Sequence, residues 1–193
     1  MLPNLFLAGF PKAGTTSLFS WLAAHPEVCG ARPKEPGHFL PLRWGDPLPP
    51  PDYARNFAHA RSERWRLDGT PGHAYGGGAV AEAIREASPD AHVILLLRAP
   101  VGRAFSYYRY RQSQGRLTGV DFGDYVERCL ALPEAELGRR ENQDLFGVAG
   151  GCYARWLPEW QAAFGDALRV EFFDTLVADP AALLAGICDW LGL

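Results

Sequence analysis

The sequence predicts an α/β fold of three layers, α/β/α, with helices on both faces of a central, mainly parallel sheet. Short apolar runs of strand length alternate with helical patterns along the whole chain, an order that favours parallel strands joined by helical crossovers. The clearest run, His92-Val93-Ile94-Leu95-Leu96-Leu97, is almost continuously apolar between turn signals, as befits a central strand buried on both faces. The length of 193 residues, with 48% hydrophobic and 21% charged, suits a single domain over 1–193 with a sizeable core and excludes wholesale disorder.

Leu5-Phe6-Leu7-Ala8 is a strand, followed by Gly9-Phe10-Pro11-Lys12-Ala13-Gly14-Thr15-Thr16-Ser17 and an amphipathic helix over Leu18–Ala24. His25-Pro26 stops that helix, and Glu27–Gly30 makes a short second strand. Arg32–Leu40 is a loop by its prolines and glycine. Residues 41–51 hold five prolines (Pro41, Pro47, Pro49, Pro50, Pro51) and predict an extended, exposed connection. A short helix follows at Tyr53–His59, then a strand ending in a turn at Trp65–Pro71. Gly76–Gly78 leads flexibly into a helix over Ala79–Ala87, which Ser88-Pro89 ends. Beyond the central strand, Pro100 at a first turn predicts a helix over Arg98–Tyr110. Residues 111–147 are polar with one helix at Phe122–Leu132, and Gly147–Gly151 breaks the chain again. Tyr153, Trp156, Leu157, Trp160 and Phe164 have helical spacing, Leu168–Phe173 alternates as a strand, and Pro180–Leu191 closes as a helix.

A buried strand, a glycine-bounded loop and a helix N-terminus make an anion site: inward amides and the positive helix end face the bound group. Lys12 adds a full charge, and Thr15, Thr16 and Ser17 add hydroxyl donors. Gly9 and Gly14 keep the glycine spacing of a nucleoside-triphosphate P-loop, but Thr15 stands where that loop has its lysine, and the lysine comes earlier. Arg98 ends the longest strand, and Ser106 lies eight residues on, about two helical turns into the next helix. An arginine fork and a hydroxyl suit a terminal phosphate, and Arg103 is a further candidate cation.

The loop at Pro11–Ser17 resembles the 5′-phosphosulfate loop of sulfotransferases that use 3′-phosphoadenosine-5′-phosphosulfate (PAPS), and the Arg98/Ser106 pair resembles the element with which they hold its 3′-phosphate. Lys34-Glu35-Pro36-Gly37-His38-Phe39 resembles the Lys-Glu-Pro-His-Phe segment of bacterial and glycan-directed members, departing by the inserted Gly37 and by Leu40 in place of a second aromatic. In that subgroup the glutamate is the base. The resemblance implies a P-loop nucleoside triphosphate hydrolase-like fold, PAPS as donor and adenosine 3′,5′-bisphosphate (PAP) as product. Glu35 would take the acceptor proton and Lys12 would stabilise the leaving phosphate. Pro11, Lys12, Ala13, Gly14, Thr15, Thr16, Ser17, Arg98 and Ser106 would bind the nucleotide. His38 is the rival base, because other branches use histidine; Glu35 is preferred because the Lys-Glu-Pro triplet carries the match. Asp68-Gly69-Thr70-Pro71 resembles the acidic-x-Ser/Thr-Pro segment that lines the acceptor cleft, with glycine where animal glycan enzymes often have lysine. Lys34, His38 and Thr70 are the substrate-side candidates. Gly151-x-Tyr153 and Trp160 resemble the family's later helix, and core packing explains Tyr153 and Trp160 as well. Family members usually continue for several tens of residues past the point where Leu193 stands.

The expected acceptor is a hydroxyl, less readily an amine, of a small molecule, lipid or glycan. Trp44, Tyr53 and Phe122 could stack on its rings or simply pack. No metal is expected, since the transferred group carries less charge than a phosphoryl group and no carboxylate set for magnesium stands out. An atypical P-loop kinase and a sulfotransferase-like protein that binds nucleotide without turnover are the alternatives. A net charge of −3 argues against a general nucleic-acid binder. No apolar run approaches a membrane span. Cys29, Cys129, Cys152 and Cys188 lack any C-x-x-C spacing and suggest free, mostly buried thiols in the cytoplasm.

Overall fold

The computed structural model describes residues 1–50 and 52–193; Pro51, counted above in the proline-rich connection, lies outside the described residues. Chain contacts divide the protein into two compact units, Met1–Leu97 with Trp156–Leu193, and Arg98–Arg155.

The first unit holds the sheet. Its strands are β1 (Leu5–Gly9), β2 (Val28–Gly30), β3 (Trp65–Asp68), β4 (His92–Leu97) and β5 (Leu168–Phe172), in the order β2-β3-β1-β4-β5. Every pairing is parallel, so the sheet is wholly parallel where the sequence predicted a mainly parallel one. Its helices are α1 (Thr15–Leu22), α2 (Gly77–Ala87), α5 (Leu157–Phe164), α6 (Phe173–Ala178) and α7 (Pro180–Leu191). The alternation of the strands decides what each face buries. Leu5, Leu7, Leu67, Ile94 and Leu96 share a core with Leu18 and Leu22 of α1, Leu176 of α6, and Leu183, Ile187 and Leu191 of α7. Phe6, Val93 and Leu95 point the other way and are equally buried. On α2, Val80, Ala81 and Ile84 are buried, and α2 packs on α5, whose buried Trp160 donates its indole N–H to Ala74 O at 3.0 Å. Trp160 is therefore core.

Two consequences of this topology position the site. Because all strands are parallel, their carboxyl ends share one edge. The order also reverses at β1, with β3 and β2 on one side and β4 and β5 on the other, and open α/β sheets bind ligands at such a switch point. The register of β1 on β4 shifts between Leu7 and Gly9. A Cβ on Gly9 would lie 2.3 Å from Ala74 Cβ and 3.3 Å from Pro71 O. Gly9→Ala should therefore cost about 2 kcal/mol by overpacking, a fall in Tm of about 6 °C, readable by thermal denaturation.

The second unit contains α3 (Pro100–Ser113) and α4 (Phe122–Ala131). Tyr108, Val120, Tyr125 and Cys129 form its small core, with Phe122 packed against it, which accounts for Phe122 as packing. Arg103 is fully buried here; its guanidinium donates to Gly147 O and lies 5.6 Å from the Tyr107 ring centroid. The arginine offered as a further anion-binding cation is thus built into the unit's interior.

Several boundaries differ from expectation. The first helix starts at Thr15, not Leu18, because Gly14 at φ 94° ends the loop in a left-handed turn that frees the next residue to be helical. Leu40–Trp44 is a half-buried 3-10 turn rather than exposed chain, with the Arg43 guanidinium 4.8 Å from the Tyr75 ring and 5.1 Å from the Trp44 ring. Pro47, Pro49 and Pro50 are exposed as expected. Tyr153–Arg155 is a separate 3-10 turn, and α6 was not anticipated. All four cysteines are free, but only Cys29 and Cys129 are buried and Cys152 is exposed. Among the described residues no helix is long and apolar enough to cross a membrane.

Candidate active site

The loop after β1 is held from behind. Phe10 N donates to Leu96 O at 2.9 Å, and the buried Phe10 ring packs against Tyr75 (5.3 Å between centroids) and Trp156 (6.0 Å). Ala13, also buried, closes the turn by donating its N–H to Phe10 O at 3.2 Å. Between them Lys12 is left-handed at φ 71°, an unusual state for a residue with a Cβ. Pro11, Lys12 and Gly14 are half-buried, Thr15 is buried, and Thr16 and Ser17 are exposed.

The N-terminus of α1 differs from those of α4 and α7. Asp121 caps α4 by accepting from Asp124 N, and Asp179 caps α7 by accepting from Ala182 N, both at 2.9 Å. In contrast, α1 has Gly14 as its N-cap, no side-chain cap, and no acidic residue in its first turn. Its first amides thus keep the positive end of the helix for an external anion.

The second group lies beyond β2. Lys34 Nζ pairs with Glu35 Oε1 at 2.8 Å and stands 5.6 Å from the Phe19 ring centroid; Glu35 is 52% exposed. Gly37, the inserted residue, has φ 70°, so a turn that only glycine takes easily sits between Glu35 and His38. Gly37 N donates to Thr70 Oγ1 at 3.1 Å. Thr70 is 1% exposed, so its hydroxyl holds the loop from beneath. Gly69 has no room for a side chain: a Cβ would lie 2.4 Å from Phe19 Cδ2. The His38 imidazole lies flat on Tyr53, 4.3 Å between centroids at 4°, and burial lowers its pKa. Tyr53 donates its hydroxyl to Asp68 Oδ2, and burial together with that carboxylate holds the phenol protonated. Tyr53, offered as a stacking residue for the acceptor, is itself buried. A pocket of about 690 Å³ opens beside this loop, walled by Pro33, Pro36, Pro49 and Pro50 and bearing Arg32 and Arg55.

His73 lies under the same loop, fully buried, with its ring 5.8 Å from Phe39 and neither ring nitrogen hydrogen-bonded among the described residues. Burial lowers its pKa, as it does for His38. Below the ordinary value of 6.5 the unfolded chain then binds more protons than the folded one, so stability is present above that pH and is lost as pH falls toward the folded values. His73→Leu removes both orphaned nitrogens and should raise stability at pH 5.5 by about 1–2 kcal/mol. It should also flatten the acid decline in urea denaturation between pH 7.5 and 5; an unchanged pH slope would acquit His73.

The third group belongs to the second unit. Arg98 directly follows β4, and Tyr153 fixes its peptide, donating its hydroxyl to Arg98 O at 2.6 Å and accepting from Arg98 N at 3.3 Å. That contact gives Tyr153 a more specific task than core packing. A Cβ on Gly102 would lie 3.5 Å from Arg98 Nε, so the guanidinium lies over the first turn of α3. Ser106 is one turn beyond Gly102 and shares its face.

The structure thus brings Lys34, Glu35, His38 and Thr70 into one cluster, collects Pro11–Ser17 on one loop, and puts Arg98 and Ser106 on one helical face. Asp68 and Tyr53 were not identified as partners from sequence, and no spacing rule links a strand-end aspartate to a tyrosine 15 residues earlier.

The chain is similar to known proteins of one family. A family model described as "Sulfotransferase family" matches residues 52–193. Heparan sulfate glucosamine 3-O-sulfotransferase 3B1 of Mus musculus is 28% identical over 100% of this chain and 46% of its own length. The human 3-O-sulfotransferase 6 is 31% identical over 99% of this chain and 52% of its own. The chain therefore spans about half the length of such curated relatives. The crystal structure of a sulfotransferase from Alicyclobacillus acidocaldarius superposes with a TM-score of 0.84 at 25% identity, covering 100% of this chain and 82% of that one. With the model match covering most of its length, the chain belongs to the sulfotransferase family.

Proposed function

We propose that this protein transfers a sulfuryl group from PAPS to a hydroxyl, less readily an amine, of a glycan, lipid or small-molecule acceptor, releasing PAP. The observation that carries this is the start of α1, which is uncapped and acid-free and is preceded by Lys12 inside the loop rather than after its last glycine. Backbone amides from Lys12 to Ser17 and the exposed hydroxyls of Thr16 and Ser17 suit the 5′-phosphate. The Lys12 ammonium offsets charge that develops on the bridging oxygen. Arg98 and Ser106 hold the 3′-phosphate, which distinguishes this donor from ATP. The acceptor oxygen bonds to sulfur as the sulfur–oxygen bond to the phosphate breaks, and the acceptor proton passes to the Glu35 carboxylate.

The acceptor is assigned to the pocket beside the Arg32–His38 loop, which His38 lines, with Lys34 on the same loop and Thr70 acting through Gly37. The names of the curated relatives favour a carbohydrate hydroxyl. Free thiols, one of them exposed, fit a reducing cytoplasm. Thermal shift tests the donor assignment: PAP should raise Tm, by about 2.7 kcal/mol of stability at a hundredfold excess over Kd, and ATP with magnesium should not. Stabilisation by ATP–magnesium alone would make the protein a P-loop kinase. PAP binding without transfer of labelled sulfate to any acceptor would make it a nucleotide-binding protein.

A further inference from the structure

We propose that Asp68 is a positioning residue for the loop that carries Glu35 and His38, and that it acts through two hydrogen-bonded arms. Its catalytic consequence rests on the sulfuryl-transfer assignment above; its grip on the loop does not.

Asp68 ends β3, the strand next to β1 at the switch point, and is 0% exposed. Among the described residues no lysine or arginine forms an ion pair with it, so its charge is carried by hydrogen bonds. A buried carboxylate without a cation is costly and persists where its geometry is needed. Along the first arm, Oδ2 accepts the Tyr53 hydroxyl, and the Tyr53 ring lies flat beneath His38. Along the second, Oδ1 accepts from Thr70 N at 2.8 Å, and Thr70 Oγ1 accepts from Gly37 N at 3.1 Å.

The turn that Asp68 closes also presents Gly69 N to Lys34 O at 3.3 Å. The backbone is therefore tied at Lys34 and at Gly37, one residue before Glu35 and two after it. Glu35 itself is exposed and, among the described residues, paired only with Lys34, so its placement comes from those ties. One carboxylate in this way sets both the platform under the rival base and the brackets around the preferred one. Tyr53 is held as a donor, since its phenol does not ionise against Asp68.

The test uses the full chain, with amide hydrogen exchange as its first readout and transfer of labelled sulfate from PAPS to heparan sulfate as its second. Asp68→Asn keeps the shape and removes the charge, Thr70→Val cuts one arm, and Tyr53→Phe cuts the other while keeping the ring under His38. Exchange at Glu35, Gly37, His38 and Phe39 should rise at least tenfold in Asp68→Asn and in Thr70→Val, with β1 and β4 unchanged. The double variant should add little to either, as expected for groups acting in one chain of contacts. Transfer should lose at least tenfold in kcat while KM for PAPS stays the same.

Unchanged exchange over 35–39 in both variants overturns the proposal. So does an equal rise through β1 and β4, which would make Asp68 a general structural residue. If Asp68→Asn does not fold, Thr70→Val and Tyr53→Phe decide by the same criteria. A wild-type protein that binds no PAP while the exchange behaves as expected would defeat the sulfuryl-transfer assignment and leave the anchoring intact.

Discussion

Lys12→Ala should lower sulfate transfer by about 10²–10³-fold, the loss of one preorganised charge at the leaving oxygen, or about 2.7–4 kcal/mol of transition-state stabilisation. PAP should still bind, because the amides after Lys12 and the α1 N-terminus remain. Backbone conformation offers a second, independent handle. At φ 71° Lys12 carries the strain of a left-handed residue with a Cβ, of order 1–2 kcal/mol. Strain of this kind persists where the surrounding structure over-determines the local geometry, and it clusters at functional sites. Lys12→Gly removes the charge and the strain together, so it should raise stability by about 1 kcal/mol while losing as much transfer as Lys12→Ala. Urea denaturation and single-turnover transfer of labelled sulfate check the two halves separately. A Lys12→Gly protein with the wild-type rate would end the role given to the ammonium.

Glu35→Gln should lower kcat by about 10²–10⁴-fold, the usual range for a missing proton acceptor, with KM for PAPS little changed. Glutamine retains the length of the side chain and an oxygen for Lys34 Nζ, now 2.8 Å from the carboxylate, so the loop should stay in place. His38 supplies the discriminating experiment. Burial lowers its pKa from 6.5, which leaves the imidazole neutral at pH 7 and able to accept a proton. If His38 were the base, His38→Ala would suffer the large loss, Glu35→Gln would not, and kcat would fall as pH drops through a value below 6.5. Steady-state kinetics of both variants from pH 5 to 8 separates the two assignments.

The sequence by itself determined the strands, most of the helices and the chemistry-bearing segments, because those are written in local periodicity, glycine and proline punctuation and short motifs. His92–Leu97 reads as a strand buried on both faces, and the Gly9–Ser17 stretch reads as a loop between a strand and a helix start, as the structure has them. What the tertiary structure alone decided is which polar side chains face ligand and which face the interior. Arg103 and Arg98 are both arginines near the start of one helix, yet one is buried on Gly147 O and the other lies over Gly102. Thr70 lies behind the Glu35 loop rather than open to solvent, and Asp68 takes Tyr53 and Thr70 as partners. The reason is physical. A hydrogen bond between residues distant in sequence is set by which strands lie side by side, and the strand order β2-β3-β1-β4-β5 is a property of the packed sheet rather than of any single segment.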